Sequence, residues 1–588
     1  MAGGLLNLIA IGNANIFLTG EPTKTFFRAT YAKHTNFGLQ KFRIDYNGSR
    51  ELRLTEPSNF TFKIPRYAEL LMDTYLVLTL PNIWSPVYPP INPIQLPDGS
   101  ISNEGYNTNN KWVPYEFRWI EDLGAQMIQE IEIRCGSFTL ARYSGDFLSA
   151  MVERDFTEEK KKAFRDMTGN VPEINNPASA FGRTNVYPNA FYDSTNVSSA
   201  GIEPSIRGRN LYIPLNTWFS LDSRCAFPLI ALQYNELEIS VTLRPIQDLF
   251  QVRDMFDVDS EGGSYEYPYI KPDFNQDRFQ MYRFLQGPGK EHIYVATDEN
   301  GAYPSESGDY PINYGESDPD AYVNNINVWD ADVHLLTTYA FLAKEERRQF
   351  AQEDQVYLVK EVFTHKFDNV YGSKKVKIET TGMVCNWMWY FQRNDVNMRN
   401  EWSNYTNWPY RRIPSEASMA PDILLVHPRI NGKRTNTGFF ISGNYNVENH
   451  KDIMESMGIV LDGKYRENTL PSGVFNYIEK YARTHGYARE GLYVYQFGLD
   501  TNPKNYQPSG AINLGKFKNI ELEFSTFVPQ IDTVNSNYQV ICNESGETVA
   551  VNKSNWRLYE YTYNLVLFEE RYNVLSFIGG SCGMMYAR

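Results

Sequence analysis

Apolar and polar residues alternate along several short segments of this chain, as expected for β-strands that bury one face. The clearest segment is 236–243, where every second residue is apolar: Leu237, Ile239, Val241 and Leu243. Three further segments alternate or form short apolar runs: 75–80, 520–524 and 559–565. We expect the four apolar residues of 236–243 to point into a core, because a slip of one residue would expose all of them.

Helical spacing is confined to three short segments: 159–166, 343–353 and 475–482. Asp155 and Glu158 resemble a capping box before the first segment, and Gly169 is placed to end it. Three long polar stretches are predicted to be loops: 81–112, 167–209 and 246–325. The pattern therefore indicates an all-β fold with long loops and a few short helices, and loops of this length are usually interaction surfaces.

The length of 588 residues favours more than one domain, since a single β-sandwich seldom exceeds about 250 residues. Aromatic residues make up 15% of the chain, and Tyr and Phe suit half-buried strands. The acidic stretch 246–325 divides the chain into two halves. We therefore predict four parts: an N-terminal arm (1–21), a first sandwich (22–245), an acidic connecting segment or insertion (246–325) and a second sandwich (326–588).

The net charge of −14 argues against direct binding of nucleic acid, which requires clustered Lys and Arg. Residues 253–325 carry fifteen Asp and Glu but only five Lys and Arg. These charges should remain in solvent, because burying them is costly. The same segment contains many aromatic residues: Tyr265, Tyr267, Tyr269, Phe274, Phe279 and Tyr282. We expect an ordered excursion whose rings pack on the sandwiches and whose carboxylates face solvent.

The cysteines are few and far apart: Cys135, Cys225, Cys385, Cys542 and Cys582. With no CxxC pair, they suggest a reducing compartment and free buried thiols.

Residues 1–21 are apolar but have no basic start, because the first Lys or Arg is Lys24, so we do not expect a signal peptide. No run of about 18 apolar residues is present, so no membrane-spanning helix is expected.

Three motifs suggest catalysis or nucleotide binding but lack the required context. Residues 579–583 read GGSCG and match GxSxG, yet the acid and His that should follow the Ser are missing. Residues 458–465 and 510–517 approach a phosphate-binding loop, but Tyr465 and Phe517 replace the Ser or Thr that holds Mg²⁺. We interpret these three segments as turns.

Metal binding is equally weakly indicated. Asp257, Asp259 and Glu261 begin like a calcium loop, but Pro268 stands where a bidentate Glu is required. The histidines lack ligand spacing: His34, His292, His334, His365, His427, His450 and His485. We therefore predict no catalytic, cofactor-binding or metal-binding residues, and no enzyme.

Several strings along the chain carry a family resemblance. The N-terminal ones are GGLL at 3–6, FLTG at 17–20, TFF at 25–27 and YAKHTNF at 31–37. Those further along are IPR at 64–66, LP at 80–81, FPLIALQY at 227–234, LRP at 243–245, EERR at 345–348, YQPSG at 506–510 and YNVL at 572–575. In order and content they resemble the major capsid proteins of giant and large eukaryotic DNA viruses, especially the mimivirus-like ones. The family usually has Arg in place of Lys33, and residues 335–350 resemble the start of its second domain.

The resemblance implies two consecutive eight-stranded antiparallel jelly rolls in each subunit. It further implies homotrimers that form pseudo-hexagonal capsomers and tile the icosahedral outer shell of a virion assembled in the host cytoplasm. The implied partners are other copies, neighbouring capsomers, minor capsid and penton proteins and, through residues 1–21, an internal membrane layer. No cofactor is implied, and the acidic segment would lie on the outer face of the capsomer.

A carbohydrate-binding or carbohydrate-active protein with two sandwiches is the alternative, because β-sandwiches rich in Tyr and Trp can bind sugars. A glycosidase needs two facing carboxylates about 5–10 Å apart. The chain has 70 Asp and Glu, and the sequence does not show which of them would be paired in this way.

Overall fold

A computed structural model describes residues 3–85, 116–183, 187–188, 204–253, 269–275, 279–286, 328–408, 411, 451–528 and 561–586. It also describes the backbone of eight short strand segments outside these ranges: 87–88, 94–95, 101–102, 113–114, 429–430, 433–434, 538–542 and 548–553.

The first sandwich contains eight principal strands in two four-stranded antiparallel sheets. The strands up to its end are β1 Phe37–Asp45, β2 Glu51–Leu52, β3 Ser58–Lys63, β4 Leu70–Thr79, β5 Val87–Tyr88, β6 Ile94–Gln95, β7 Ile101–Ser102, β8 Val113–Pro114, β9 Phe117–Trp119, β10 Ile128–Cys135, β11 Phe138–Tyr143, β12 Asn210–Pro214, β13 Phe227–Pro228, β14 Leu237–Leu243, β15 Phe250–Arg253, β16 Tyr269–Ile270, β17 Trp329–Asp330 and β18 His334–Leu342. One sheet has the order β1-β18-β4-β12, with β13 added to β4, and the other has the order β11-β10-β14-β3.

The second sandwich repeats this arrangement. Its strands are β19 Gln355–Val370, β20 Ser373–Lys377, β21 Met383–Arg393, β22 Arg429–Ile430, β23 Lys433–Arg434, β24 Met454–Leu461, β25 Lys464–Pro471, β26 Leu492–Gln496, β27 Ile512–Asn513, β28 Ile520–Thr526, β29 Tyr538–Cys542, β30 Thr548–Lys553, β31 Tyr563–Ile578 and β32 Ser581–Met584. The sheet orders are β19-β31-β21-β26, extended by β27 and β32, and β20-β28-β24-β25. The principal strands are distributed between the two sheets in the same order in both sandwiches. Each sandwich is therefore a jelly roll, and the predicted fold class is confirmed.

The predicted register of the alternating strands is also confirmed. Leu237, Ile239, Val241 and Leu243 are all buried in the first core. In β28, Ile520, Leu522 and Phe524 are buried in the second core while the residues between them are partly exposed. Alternation therefore identified strands that have one buried and one wet face.

The boundary predicted between residues 325 and 326 is wrong. Strand β18 lies between β1 and β4 in the first sandwich, and Leu335 faces Ile44 and Leu76 there. Trp329 in β17 likewise pairs with Leu52 of the first sandwich. The acidic segment is therefore an insertion before the last strand of the first jelly roll, and the second begins with β19.

Helices lie mainly in the connections between strands. They are α1 Gly3–Ile9, α2 Asn13–Thr19, α3 Leu123–Gln126, α4 Gly145–Asp155, α5 Glu158–Thr168, α6 Pro172–Asn175, α7 Trp218–Leu221, α8 Tyr282–Leu285, α9 Lys344–Gln352 and α10 Glu479–Arg483, with a π-helical turn at Val474–Ile478. Short 3-10 turns occupy Pro177–Gly182, Ser223–Cys225, Leu229–Ala231, Ile246–Asp248, Val396–Met398 and Leu514–Lys516. None of the helices in the described ranges is long and apolar enough to cross a membrane.

The three predicted helices are present as α5, α9 and the π-turn with α10. Gly169 ends α5 in the left-handed conformation (φ +79°), as predicted. The predicted cap is wrong, because Thr157 is the N-cap residue and Asp155 is the last residue of α4. Asp155 is instead part of a buried ion cluster described below.

Candidate assembly surfaces and the seam between the jelly rolls

Two strands in one sheet of the second jelly roll, β21 and β26, are buried on both faces. In β21, Trp387, Trp389 and Phe391 point into the core of the second jelly roll, whereas Met388 and Tyr390 belong to the core shared with the first. Strand β26 divides its residues in the same way, and all five of them are buried. We call the contact between this sheet and the first jelly roll the seam.

Aromatic rings from both jelly rolls meet in the seam. Phe147 on α4 contacts Phe568 on β31 edge to face, with ring centroids 5.5 Å apart. Phe227 and Phe577 make a similar contact at 5.1 Å. Such pairs contribute about 0.5–1.5 kcal/mol beyond the area they bury. The seam therefore has the packing of a protein interior and holds the two jelly rolls in one arrangement.

A buried ion cluster crosses the seam. Arg154 of α4 donates hydrogen bonds to Asp155 Oδ2 (2.7 Å from Nη2), Glu570 Oε1 (2.9 Å) and Asn386 Oδ1 (3.0 Å). Thr501 also donates a hydrogen bond to Asp155. The side chain of Arg154 is fully buried, and Glu570 is almost fully buried. We call Arg154, Asp155, Asn386, Thr501 and Glu570 the Arg154 cluster.

The electrostatics of the cluster keep Glu570 ionised. Burial by itself would raise the pKa of this carboxyl, but the nearby Arg154 guanidinium and Lys360 ammonium outweigh that effect and lower it. Removing one partner from such a buried group is costly, because the remaining charge stays out of water without compensation. The cluster therefore requires one precise docking of α4 against β21 and β31.

A second charged group ties the jelly rolls together near α3. Arg489 donates to Asp122 Oδ2 at 2.7 Å, and Arg411 forms an ion pair with Glu121. The pKa of Asp122 is lowered, since the attraction of Arg489 and Arg411 exceeds the opposing effect of burial. Here the acidic residues come from the first jelly roll and the arginines from the second, which is the reverse of the Arg154–Glu570 pair.

Backbone contact completes the seam at Gly486. Its N–H donates to the carbonyl of Arg154 at 2.8 Å. A Cβ atom at this position would lie 2.6 Å from the Phe156 carbonyl oxygen and 2.8 Å from that of Glu153. Only glycine fits, because contacts under 3.0 Å with backbone cannot be relieved by a side-chain rotation.

The N-terminal arm is a second candidate surface. Neither α1 nor α2 contains a buried residue. Several large apolar side chains of the arm are mostly in solvent, and Phe17 is 92% and Leu18 85% exposed. The first charged residue of the chain is Glu21. Exposed apolar groups on this scale are typical of an interaction site.

The described part of the acidic insertion matches the expected ordered excursion. Strand β15 pairs with β9 and β16, which anchors the insertion to the first jelly roll. Tyr269, Phe279 and Tyr282 are buried, and Phe274 packs against the first core. Tyr265 and Tyr267 lie outside the described residues, as do most of the carboxylates, so their outward orientation stays a prediction.

The segments that suggested catalysis or nucleotide binding are turns. Gly579 and Gly580, both with positive φ, connect β31 to β32, and Ser581 is the first residue of β32. Asp462 and Gly463 form a similar turn between β24 and β25, and Lys516 lies in a 3-10 turn. These turns join antiparallel strands or end in a short 3-10 segment, unlike the strand-loop-helix units that the motifs need.

No metal site is found in the described part of the chain, where no three His, Cys, Asp or Glu side chains are grouped as ligands. The calcium-loop candidates Asp257, Asp259 and Glu261 lie outside the described residues.

The prediction of free thiols is wrong for one pair, because Cys135 at the end of β10 is joined to Cys582 in β32 as a disulfide. Cys225 and Cys385 are free, and burial raises the pKa of Cys385 to about 12.

Comparison with known families agrees with this architecture. The family model for the N-terminus of major capsid proteins matches residues 25–270, and the model for large eukaryotic DNA virus major capsid proteins matches residues 346–583. Together they cover more than four fifths of the chain. The chain belongs to the major capsid proteins of large eukaryotic DNA viruses.

Individual members of the family are distant in sequence. The major capsid protein of Phaeocystis pouchetii virus is 22% identical over the full length of both chains. That of Chrysochromulina ericina virus is 30% identical over 250 residues, which is 42% of either chain. A quasi-atomic model of the PBCV-1 virus capsid aligns with a TM-score of 0.55 at 18% identity, covering 96% of this chain and all of the other. The Faustovirus major capsid protein aligns with a TM-score of 0.55 at 11% identity, covering 96% and 94%.

The strand pairing corrects one detail of the family resemblance. The segment 335–339 completes the first jelly roll and does not begin the second, whereas the matched model for the second part starts at residue 346. Major capsid proteins are components of the virion capsid, and membership favours this role over carbohydrate binding. The seam residues were missed in the sequence because β21 and β26, buried on both faces, lack alternation.

Proposed function

We propose that three copies of this chain form a homotrimeric capsomer with a pseudo-hexagonal outline, which tiles the outer shell of a large icosahedral virus as a structural, non-enzymatic building block. The observation that carries the proposal is the seam. Two jelly rolls of the same topology are held in one arrangement by a continuous core and two buried ion groups. A rigid pair in each subunit gives six jelly rolls in a closed three-fold ring.

The seam explains why a capsomer of this kind keeps its shape. If the two jelly rolls could rotate, three subunits would not present six matching edges to their neighbours. Aromatic packing and the Arg154 cluster both oppose such rotation, because any displacement would separate buried charges. Sheet edges closed within each jelly roll also reduce pairing between capsomers at high local concentration.

The N-terminal arm is proposed to lie beneath the capsomer and to contact minor capsid proteins or the internal membrane layer. Its apolar side chains are exposed in the isolated subunit, and its helices do not pack on either jelly roll.

The acidic insertion is proposed to occupy the outer face, where like charges of adjacent capsomers are farther apart than at the lateral edges. Repulsion is screened beyond about 8 Å at physiological salt, so only direct contacts matter.

Light scattering and electron microscopy of the purified chain test the proposal. Subunits of 68.0 kDa should form particles of about 200 kDa with a pseudo-hexagonal outline. A stable monomer under native conditions, after folding in the presence of the host and viral chaperones, would contradict it.

The arm is tested by deleting residues 2–21. Trimers should form normally, because the helices of the arm contribute no buried residue, but shell assembly in infected cells should fail. A paired substitution, Phe17→Ser with Leu18→Ser, should reproduce the defect, whereas Asn13→Ser with Asn15→Ser in the same helix should not. Normal shells from the deletion would exclude this role for the arm.

A further inference from the structure

A cavity of about 90 Å³ lies in the seam, between α4 and α7 of the first jelly roll and β19 and β31 of the second. Much of its wall is apolar and comes from both jelly rolls: Tyr143, Phe147, Met151, Trp218, Leu358 and Val362. One water molecule needs roughly 15 Å³ of such space, so the cavity holds about six waters or a short alkyl chain. A wall of this composition favours an apolar occupant over water.

The charges on the wall are not balanced. Its two carboxylates are already paired with arginines, since Glu570 accepts from Arg154 at 2.9 Å and Asp222 accepts from Arg224 at 2.6 Å. Two lysines, Lys360 and Lys504, also line the cavity. Neither has an ion-pair partner among the described residues. Because Arg154 is shared between Asp155 and Glu570, Lys360 balances the second of these carboxylates, and the surplus positive charge at the cavity is that of the exposed Lys504.

Lys360 is the more enclosed of the two lysines. Its ammonium donates to the Thr501 carbonyl at 3.3 Å and lies 5.8 Å from the centre of the Tyr572 ring. Burial by itself would lower its pKa, but neighbouring groups including Glu570 outweigh that effect and raise it. The ammonium therefore stays charged at neutral pH, with three donors and one carbonyl acceptor.

A second donor on the wall is unused. The Nδ2 atom of Asn216 is buried and has no hydrogen-bond partner among the described residues. Asn216 also has φ +50°, in the left-handed region that costs energy for a residue with a side chain. A buried amide without a partner costs about 1–3 kcal/mol, so a ligand that accepts its hydrogen bond would recover that energy.

We propose that this cavity binds a small monocarboxylate with a short apolar tail, its carboxylate held by Lys360 and Asn216 and its tail packed on the aliphatic and aromatic wall. The unfilled donors of Lys360 and Asn216, with the surplus charge of Lys504, favour an anionic acceptor. The apolar wall favours a hydrocarbon tail, and the volume limits that tail to a few carbons. The ligand contacts both jelly rolls. It therefore stabilises their docking by mass action, in proportion to its occupancy.

Thermal unfolding of the trimer with hexanoate as the probe tests the proposal, with hexylamine and 1-hexanol as controls of equal tail length. Hexanoate should raise the unfolding temperature in a saturable way, and isothermal titration should give one site per subunit. Hexylamine should have no effect, and hexanol should bind at least tenfold more weakly. Equal effects of hexanoate and hexanol would overturn the assigned role of the charge.

Three variants locate the site. Lys360→Met should reduce hexanoate affinity at least tenfold, whereas Lys377→Met, at an exposed lysine of β20, should not change it. Leu358→Trp should fill the cavity and abolish binding without removing any charge. Asn216→Gly should weaken binding while relieving the left-handed backbone, so the variant remains folded. Undiminished hexanoate binding in Leu358→Trp and Asn216→Gly would place the ligand elsewhere and refute the site.

Discussion

Replacing Arg154 with methionine should destabilise the subunit far more than the loss of an ordinary surface charge. The guanidinium makes hydrogen bonds with Asp155, Asn386 and Glu570, and its side chain is fully buried. Methionine fills much of the same space but leaves Asp155 without its counter-charge and Glu570 with only the more distant Lys360. Breaking a buried pair in this way costs about 3–5 kcal/mol.

Calorimetry should detect this loss clearly. Unfolding entropy is about 2.1 cal/mol/K per residue, which corresponds to about 1.2 kcal/mol/K for a chain of this length. If the two jelly rolls unfold together, Arg154→Met should therefore lower the unfolding temperature by about 3 °C. The matched control is Arg53→Met, since Arg53 pairs with Glu56 while both are about two-thirds exposed. Exposed pairs contribute about 0–1 kcal/mol, so its shift should be under 1 °C.

A double mutant separates lost charge compensation from lost packing. Glu570→Gln removes one of the two buried carboxylates that contact Arg154, and the side chain keeps its size. Combined with Arg154→Met, it should be less destabilising than the sum of the two single changes, because the variant no longer buries that unpaired charge. Additive effects, or an Arg154→Met shift no larger than that of Arg53→Met, would show that the cluster does not hold the seam.

Two further predictions concern other parts of the seam. Gly486→Ala should lower the unfolding temperature by several degrees or prevent folding, since its Cβ would overlap backbone oxygens of α4 and its C-cap. The control Gly583→Ala should be neutral, because a Cβ there meets no atom within 4 Å. Equal stability of the two variants by calorimetry would contradict the close approach at Gly486. Burial lowers the pKa of Lys480 to about 7, below its ordinary value of 10.5, so the unfolded chain binds more protons between these values and stability should rise with pH there. Urea midpoints measured from pH 7 to 10 should show this rise in the wild type and a flatter profile in Lys480→Met, and parallel profiles would exclude a titrating Lys480.

Much of the fold could be predicted from the sequence where strands have one wet face. Strands β14 and β28 follow the alternating pattern, and their apolar residues are buried as expected. Strands β21 and β26 could not be recognised in this way, because both of their faces are buried and the apolar run is nearly continuous. Fold class was therefore predictable, while the sheet that forms the seam was not.

The domain boundary and the seam residues required the three-dimensional arrangement. In a jelly roll the last strand lies beside the first, so β18 belongs with β1 although almost three hundred residues separate them. Arg154 and Glu570 are 416 residues apart, and nothing in their local sequence relates them. The assignment of Asp155 to a helix cap failed for the same reason: its local context suits a cap, but its partners come from the second jelly roll.

The position of the acidic insertion has a consequence for how such a subunit can diversify. Because the chain leaves the first jelly roll after β14 and returns to it at β17 and β18, a change in the length of the insertion does not move one jelly roll relative to the other. Doubling a loop costs only about 0.6 kcal/mol of closure entropy. If the insertion occupies the outer face, as proposed above, a virus can alter that surface while the arrangement of the two jelly rolls is inherited unchanged.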